Sequence, residues 1–300
     1  MTVKSPVTLN THTTLVIEFD VDTIIQQYKN QGKLDVSRFF KGLNKIQLYR
    51  CNETGYRFYY PDGIWGDSKF YEELRDIHSW YYPVDRWEHA IALPMINKED
   101  KVLEVGCGEG AFIRMLHKAG VKDVTGLELN EHAVNKLSEE GLVVKAETIQ
   151  TFAEKNKEQF DTVCFFQVLE HIYEIKSFLD ASIMALKKGG SMIIAVPNNT
   201  PYLFNHKMDE TFNMPPHHAG LWNKETFEKL EHYYPVKVKT VLIKPLDDYK
   251  KWIRVKRKYH KENKSLKGLL FLAIPTFLTT LYLSLFKQQG SEILVEFVKK

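Results

Sequence analysis

The chain has 300 residues, 44% of them hydrophobic and 26% charged, which is ordinary globular composition with ample material for a buried core. The 41 Lys and Arg residues against 38 Asp and Glu residues leave a formal charge of +3, so we expect no nucleic-acid partner. Three distant cysteines, Cys51, Cys107 and Cys164, argue against a disulfide framework. The first residues contain no apolar signal segment, and we expect a cytoplasmic protein.

Residues 1–95 are polar and become unusually rich in aromatic side chains toward their end. The aromatic residues are Tyr56, Phe58, Tyr59, Tyr60, Trp65, Phe70, Tyr71, Trp80, Tyr81, Tyr82 and Trp87. Such density predicts a compact cap whose rings pack on one another and on the next domain. A surface on which a substrate stacks is the alternative interpretation.

Residues 96–247 alternate apolar strands with helical stretches, which is typical of a parallel, doubly wound α/β sheet. Strands are predicted at 101–105, 123–128, 142–145, 160–166, 191–196 and 236–243, and helices at 111–118, 131–140, 175–186 and 224–233. A last strand is predicted at 292–298. The ligand of such a sheet binds at the carboxyl ends of its strands.

Three glycines, Gly106, Gly108 and Gly110, lie directly between the first strand of this region and the following helix. Glycine permits a sharp turn and the close approach of a ligand. The helix start offers unpaired N–H groups to a carboxylate or a phosphate. The turn alone does not identify the cofactor, because dinucleotide sites place G-x-G-x-x-G at the same point.

Two acidic residues narrow the choice of cofactor. Glu104, inside the strand before the glycines, suits an ammonium group such as the methionine end of S-adenosylmethionine (SAM) better than a pyrophosphate. Glu128, at the end of the second strand, suits the two ribose hydroxyls, a contact that NAD and SAM sites share. The pair favours SAM, and an NAD-dependent oxidoreductase is the alternative.

Five segments over roughly residues 100–200 resemble, in order and spacing, successive motifs of class I SAM-dependent methyltransferases. They are VLEVGCGEG at 102–110, GLELN at 126–130, FD at 160–161, QVLEHI at 167–172, and LKKGG at 186–190 followed by VPN at 196–198. The resemblance implies a Rossmann-like, seven-stranded sheet of order 3-2-1-4-5-7-6 with its last strand antiparallel. It also implies an enzyme that transfers the methyl group of SAM.

The resemblance further implies which residues bind the cofactor. The loop 106–110 and Glu104 would hold the methionine end, while Glu128 would bind the ribose. Adenine would lie beside 147–149, and 167–168 would line the side of the methionine that faces the substrate. The implied cofactor-binding residues are Glu104, Gly106, Cys107, Gly108, Gly110, Glu128, Leu129, Glu147, Thr148, Ile149, Gln167 and Val168.

Methyl transfer from a sulfonium is an in-line displacement that requires alignment and, for a hydroxyl acceptor, removal of a proton, but no metal. Histidine titrates near neutrality and suits the role of base, so His171, His217 and His218 are the catalytic candidates. His217 and His218 belong to a Pro-Pro-His-His loop, which resembles that of a methyltransferase subgroup common in glycan and natural-product pathways. A structural role in capping its loop is the alternative for His171, and the choice between His217 and His218 stays open.

The segment 49–58 resembles a small zinc ribbon that precedes the core in some of these enzymes. Thr54 stands where the second cysteine would be, and no second pair of cysteines follows. Zinc requires about four ligands, so we predict that the protein binds no metal.

An unusual insert at 248–290 combines a basic run with an uncharged apolar stretch at 268–286. The basic residues are Lys250, Lys251, Arg254, Lys256, Arg257, Lys258, Lys261, Lys264 and Lys267, against one acid, Glu262. The apolar stretch is just long enough to span a bilayer, but Pro275 interrupts it and the last core strand follows, so we expect no crossing. The alternatives are packing against the cap, packing in a homodimer, and peripheral contact of 250–286 with anionic lipid on the cytoplasmic face.

These observations predict a cap at 1–95, a SAM-binding core at 96–247, the insert at 248–290 and a final core strand at 291–300. The predicted activity is O-methylation of a sugar, a glycan or another small metabolite with a histidine as general base. Transfer to nitrogen or carbon, O-methylation of a quinone-type substrate at the membrane surface, and NAD-dependent oxidation are the alternatives.

Overall fold

A computed structural model describes residues 3–78, 86–199, 211–247, 249–264, 266–285 and 289–300. The strands are β1 (Thr13–Asp20), β2 (Lys45–Cys51), β3 (Arg57–Tyr60), β4 (Lys101–Val105), β5 (Asp123–Leu127), β6 (Val144–Lys145), β7 (Phe160–Phe166), β8 (Leu186–Pro197), β9 (Gly220–Leu221), β10 (Val236–Pro245) and β11 (Gln289–Lys299). The helices are α1 (Val21–Gln27), α2 (Ser68–Ile77), α3 (Trp87–Ala92), α4 (Ala111–Ala119), α5 (Glu131–Glu139), α6 (Ile149–Lys155), α7 (Ile175–Ala185), α8 (Lys224–Lys229), α9 (Tyr249–Asn263), α10 (Leu266–Ala273) and α11 (Thr276–Leu285).

The larger sheet has seven strands in the order β6-β5-β4-β7-β8-β11-β10. Numbered along the core, this order is 3-2-1-4-5-7-6, and β11 runs antiparallel to both of its neighbours. The predicted fold class and strand order are therefore confirmed. Several strand boundaries differ from those predicted, most of all in β6 and β8. β6 is reduced to two residues, and β8 begins already at Leu186 because that residue pairs with Phe160 on β7.

The central strands bury both of their faces. Leu103, Val163 and Ile194 point into one apolar cluster, while their chain neighbours Val102 and Cys164 point into the cluster on the opposite face. Successive side chains of a strand alternate between faces, so burial on both sides requires the continuous apolar runs seen in the sequence. Helices cover the sheet on each side, and its carboxyl-terminal edge is left to carry the site.

The smaller sheet is antiparallel, with the order β1-β2-β3-β9, and forms most of the cap. Its last strand, β9, comes from the segment after β8, so residues 1–95 do not complete this sheet by themselves. Several of its aromatic rings are buried, and the Tyr56 ring lies 4.4 Å from that of Trp222, in agreement with the packing interpretation. Trp80, Tyr81 and Tyr82 lie outside the described residues.

The insert folds as three helices beside the end of the sheet. Ile253 on α9 and Leu283 on α11 are buried together against Leu246, and the Arg257 guanidinium donates to the Ile274 carbonyl at 2.6 Å. In the described parts of the chain, no single helix is long and apolar enough to cross a bilayer. α10 and α11 reach that length and composition only together, and they are bent by 99°.

The glycine loop after β4 generates a first prediction. Gly106 has φ +71°, and a Cβ there would lie 2.5 Å from Val168 Cγ2, whereas Gly42 has φ +77° with nothing within 4 Å of its Cβ position. Gly42→Ala should therefore cost only the backbone strain, about 1 kcal/mol. Gly106→Ala should lower the free energy of unfolding by about 1–3 kcal/mol more, because Val168 must also move. Urea unfolding measures both variants, and equal losses would contradict the packing argument.

Candidate functional site

A cleft opens at the carboxyl ends of β4 and β5, the edge at which the fold predicts a ligand. Its walls come from the glycine loop, the end of β5, the start of α5 and, from the cap, one face of α2. The lining residues are Tyr71, Glu72, Arg75, Gly108, Glu109, Glu128, Asn130 and Ala133. The contribution of α2 was not predicted, and only the aromatic density of the cap pointed to Tyr71.

Backbone hydrogen bonds determine the shape of the glycine loop. The N–H groups of Gly106 and Cys107 both donate to the Leu127 carbonyl, at 2.8 and 3.0 Å. The Glu128 carboxylate accepts from the N–H of Gly108 and from that of Asn130, each at 2.9 Å. Each carboxylate oxygen can accept more than one hydrogen bond, so Glu128 is both anchored to the loop and able to bind two hydroxyl groups in the cleft.

Glu104 precedes the loop and is a buried carboxylate whose Oε2 has no hydrogen-bond partner among the described residues. Burial raises the pKa of Glu104 well above its usual range, and the charge of Glu128 raises it further. Arg86 and the N–H of Ile113 oppose this shift. A buried carboxylate with an unsatisfied oxygen is costly in the absence of a cation. The position therefore fits the ammonium group of the predicted cofactor.

The loop after β7 holds Gln167 and Val168 against the glycine loop. Gln167 has φ 55°, and its N–H donates to the Ala195 carbonyl at 2.8 Å. Its Nε2 donates to Oε1 of the buried Glu88 at 3.3 Å, and Arg86 lies 3.5 Å from the same carboxylate. Arg86 and Glu88 were not predicted, because nothing in the local sequence distinguishes them from surface charges.

Of the predicted cofactor residues, Gly108 and Glu128 line the cleft, whereas the others lie beside or behind it. Thr148 caps α6 by accepting the N–H of Thr151 at 3.2 Å, and Ile149 is buried in the core. Glu147 precedes them, and Leu129 is exposed beside Glu128. Their predicted roles near the adenine and the ribose stay predictions.

The three histidines that the sequence singles out lie together. Ring centroids are 4.8 Å apart for His171 and His217, 5.0 Å for His171 and His218, and 4.4 Å for His217 and His218. The Nδ1 atom of His171 lies 2.6 Å from the His217 carbonyl oxygen, and that of His217 lies 2.6 Å from the Phe212 carbonyl oxygen. A carbonyl oxygen only accepts, so both Nδ1 atoms carry the proton and both Nε2 atoms keep a lone pair.

Burial keeps this histidine cluster (His171, His217 and His218) neutral. It lowers the pKa of His171 to about 4 and holds the pKa values of His217 and His218 well below their usual range. Tyr71 joins the cluster to the cleft, because its hydroxyl lies 3.2 Å from His171 Nδ1 while its side chain lines the cleft. A molecule bound in the cleft beside Tyr71 would therefore lie close to the histidines.

Comparison with known families identifies the fold around this site. Residues 69–234, more than half of the chain, match the family model described as a methyltransferase domain. The chain belongs to the methyltransferase-domain family. Membership confirms the predicted enzyme class and supports SAM as the cofactor of this methyltransferase. The narrower subgroup with a Pro-Pro-His-His loop stays a prediction.

Curated relatives of this methyltransferase match only part of it. The mitochondrial ubiquinone biosynthesis O-methyltransferase of Dictyostelium discoideum is 33% identical over 118 residues, 33% of this chain and 36% of that protein. The ubiquinone biosynthesis O-methyltransferase of Pseudomonas fluorescens (strain Pf0-1) is 36% identical over 112 residues, 35% of this chain and 48% of that protein. The chain thus spans less than half the length of these relatives.

Solved structures share the fold of this methyltransferase. A SAM-dependent methyltransferase from Archaeoglobus fulgidus has a TM-score of 0.53 at 16% identity, covering 78% of this chain and all of that one. The PH0226 protein from Pyrococcus horikoshii OT3 has a TM-score of 0.51 at 15% identity over the same share of this chain. Similarity at this identity supports the Rossmann-like architecture and nothing narrower.

The buried carboxylate of this methyltransferase generates a second prediction. Because the folded-state pKa of Glu104 is raised, it stabilises the ligand-free fold below the unfolded pKa, and that stability is lost as pH rises toward the folded pKa. Glu104→Gln should remove this loss, so the ligand-free variant should be at least as stable as wild type near pH 8. Its affinity for SAM should fall about tenfold through loss of an ion pair.

The control for the effect of Glu104→Gln on stability is Glu109→Gln in the same loop. Glu109 forms an ion pair with Lys136 at 2.7 Å, which lowers the pKa of Glu109. Its contribution to stability has the opposite sign, being present above the unfolded pKa and lost at acidic pH. Urea unfolding across pH compares the stabilities of the two variants. Titration calorimetry measures the SAM affinity of Glu104→Gln. Unchanged SAM affinity in Glu104→Gln would show that Glu104 does not contact the cofactor.

Proposed function

We propose that this methyltransferase O-methylates a hydroxyl group of an apolar, quinone-type acceptor delivered from a membrane surface. The use of SAM as the methyl donor is supported by the pair of carboxylates that flank the glycine loop. Glu104 is buried with an unsatisfied oxygen, and Glu128 lies in the cleft with acceptor capacity to spare. This combination suits a ligand that carries both an ammonium group and a ribose.

The cofactor supplies an electrophilic methyl group on a sulfonium sulfur. Glu104 would bind its ammonium group and Glu128 its ribose hydroxyls, while the glycines of 106–110 allow the backbone to approach it. Val168, packed against Gly106, would close the wall toward the acceptor. The chain therefore contributes mainly binding and alignment to the reaction.

The histidine cluster adjoins the cleft and would remove the proton from a hydroxyl acceptor bound there. A new bond forms between the acceptor oxygen and the methyl carbon as the carbon–sulfur bond breaks, with its electron pair passing to sulfur. The hydroxyl proton must leave the oxygen during this step. The uncharged rings offer lone pairs on Nε2, and Tyr71 joins the cluster to the cleft, which makes it the part of the described site best suited to activate the hydroxyl.

The names of the curated relatives favour a quinone-type acceptor over the glycan expected from the Pro-Pro-His-His loop. The insert supports the same choice, because an acceptor of that class carries an apolar tail and resides in a bilayer. α10 and α11 expose a row of large apolar side chains to solvent. These are Leu266, Leu269, Leu270, Ile274, Phe277, Leu278, Leu281, Tyr282 and Leu285.

The occupant that we propose for this apolar face is an anionic bilayer surface. The adjoining helix α9 and its flanks carry exposed cationic side chains, among them Arg254, Lys261, Lys264 and Lys267. Apolar side chains beside a basic stretch match the requirements of an interface between acyl chains and anionic head groups. The 99° bend between α10 and α11 suits contact along the surface better than a crossing.

The proposed function predicts methyl transfer to a quinol that carries a free ring hydroxyl. We expect wild type to transfer one labelled methyl group from SAM to a short-chain hydroxyquinol analogue and not to a free monosaccharide. His171→Gln should lower turnover at least tenfold, with an unchanged Kd for SAM, because His171 acts on the acceptor side. His117→Gln, an exposed histidine on α4, is the control. Binding of NAD without binding of SAM would contradict the proposal.

The membrane contact predicts flotation with liposomes. Wild type should float with vesicles that contain phosphatidylglycerol, and binding should weaken as salt is raised. Leu270→Ser with Phe277→Ser, at positions 64% and 70% exposed, should abolish flotation while circular dichroism stays unchanged. Val143→Ser, an exposed apolar residue next to β6, is the matched control. Equal flotation of the double variant and wild type would contradict this contact.

A further inference from the structure

We propose that the histidine cluster is a binding site for one divalent metal ion of the zinc class. One ligand atom from each of His171, His217 and His218 lies within 4.8 Å of the ligand atoms of the other two. Bonds of about 2.0–2.1 Å to a tetrahedral zinc ion place the ligand nitrogens about 3.4 Å apart. Side-chain movements of about 1 Å would bring the three nitrogens to that separation.

The hydrogen bonds of the cluster prepare its nitrogens to bind a metal. Each of the three Nδ1 atoms lies against a carbonyl-type oxygen, supplied by His217, Phe212 and the Asn213 side chain at 2.6, 2.6 and 3.0 Å. Metal-binding histidines donate one ring N–H to such an oxygen, which orients the ring and leaves the other nitrogen to the metal. All three rings of this cluster show that pattern.

The three rings pack closely against one another. His217 and His218 are stacked with an angle of 20° between their planes, and their Nδ1 atoms are held by the consecutive residues Phe212 and Asn213. We infer that their Nε2 atoms are directed to the same side. The His171 ring stands at 64° and 68° to the other two, with its centroid 4.8 and 5.0 Å from theirs.

A carboxylate next to His171 is the group that would serve as a fourth ligand. Glu170 is buried at 1% exposure, and its Oε1 lies 3.9 Å from His171 Nε2. Its Oε2 has no hydrogen-bond partner among the described residues, which is costly for a buried carboxylate. Three imidazoles and one carboxylate suit zinc and related borderline metals better than Mg²⁺ or Ca²⁺, which prefer oxygen ligands.

The position of this site in the fold indicates which step of the reaction the metal would assist. Tyr71 touches the cluster and also lines the cleft, so a metal held by the histidines would lie on the acceptor side. A Lewis acid there would polarise the acceptor hydroxyl and ease loss of its proton to solvent. This use rests on the proposed function, whereas binding of the metal does not.

Metal binding is tested on the full chain without an affinity tag, after treatment with EDTA and dialysis. We expect titration with CoCl₂ to produce visible absorption bands of a four-coordinate Co²⁺ ion that saturate near one equivalent. X-ray absorption of the Zn²⁺ form should show about three imidazole nitrogens and one oxygen around the metal. A folded wild type that binds no stoichiometric Co²⁺ or Zn²⁺, or a Zn²⁺ shell without imidazole, would overturn the proposal.

Two variants identify the ligands. His171→Gln, at a side chain that is 17% exposed and so tolerant of change, should weaken Co²⁺ binding at least tenfold, and Glu170→Gln should shift the Co²⁺ spectrum. His117→Gln should leave both unchanged. Undiminished binding by folded His171→Gln would overturn the assignment. Methyl transfer by a protein that binds no metal would contradict this inference alone. Metal binding by a protein that transfers no methyl group would contradict the proposed function alone.

Discussion

The site depends on hydrogen bonds between the backbones of two loops. The N–H groups of Ala219 and Gly220 donate to the Glu170 carbonyl, at 2.8 and 3.2 Å, and join the segment after β8 to the loop after β7. The same segment then continues as β9 and pairs with β3 of the cap. This contact brings His217 against His171 and ties the cap to the core.

Around that junction the protein buries several ionisable groups. Glu88, Glu104 and Glu170 are all nearly inaccessible to solvent, and Arg86 is the cation whose charge lowers the pKa of both Glu104 and Glu170. Buried carboxylates reduce stability unless ligands or partners compensate for them. Glu104 and Glu170 lie near the carboxyl ends of β4 and β7, and perturbed carboxylates at such positions are typical of ligand-binding regions.

The proposed membrane face and the cleft are consistent with one another. The insert returns to the sheet through β11, between β8 and β10, so α10 and α11 are anchored to the same sheet that carries the cleft. With this arrangement, the protein would bind an acceptor with an apolar tail at the bilayer surface while its own core stays outside the bilayer. The exposed apolar side chains of Leu270 and Phe277 have no evident role in the packing of the core.

The sequence by itself determined the sheet and the cofactor loop. Alternating apolar runs indicate the strands, and the resemblance of five motifs to class I SAM-dependent methyltransferases implies their order. The site around Gly106 to Gly110, Glu104 and Glu128 is local to two strand ends. Only the tertiary structure decided the rest. The histidine cluster joins residues 46 apart along the chain, and Tyr71, Arg86 and Glu88 come from the cap side. Periodicity reports burial along one element, whereas a site between loops depends on which carbonyls and N–H groups meet, which no local pattern records.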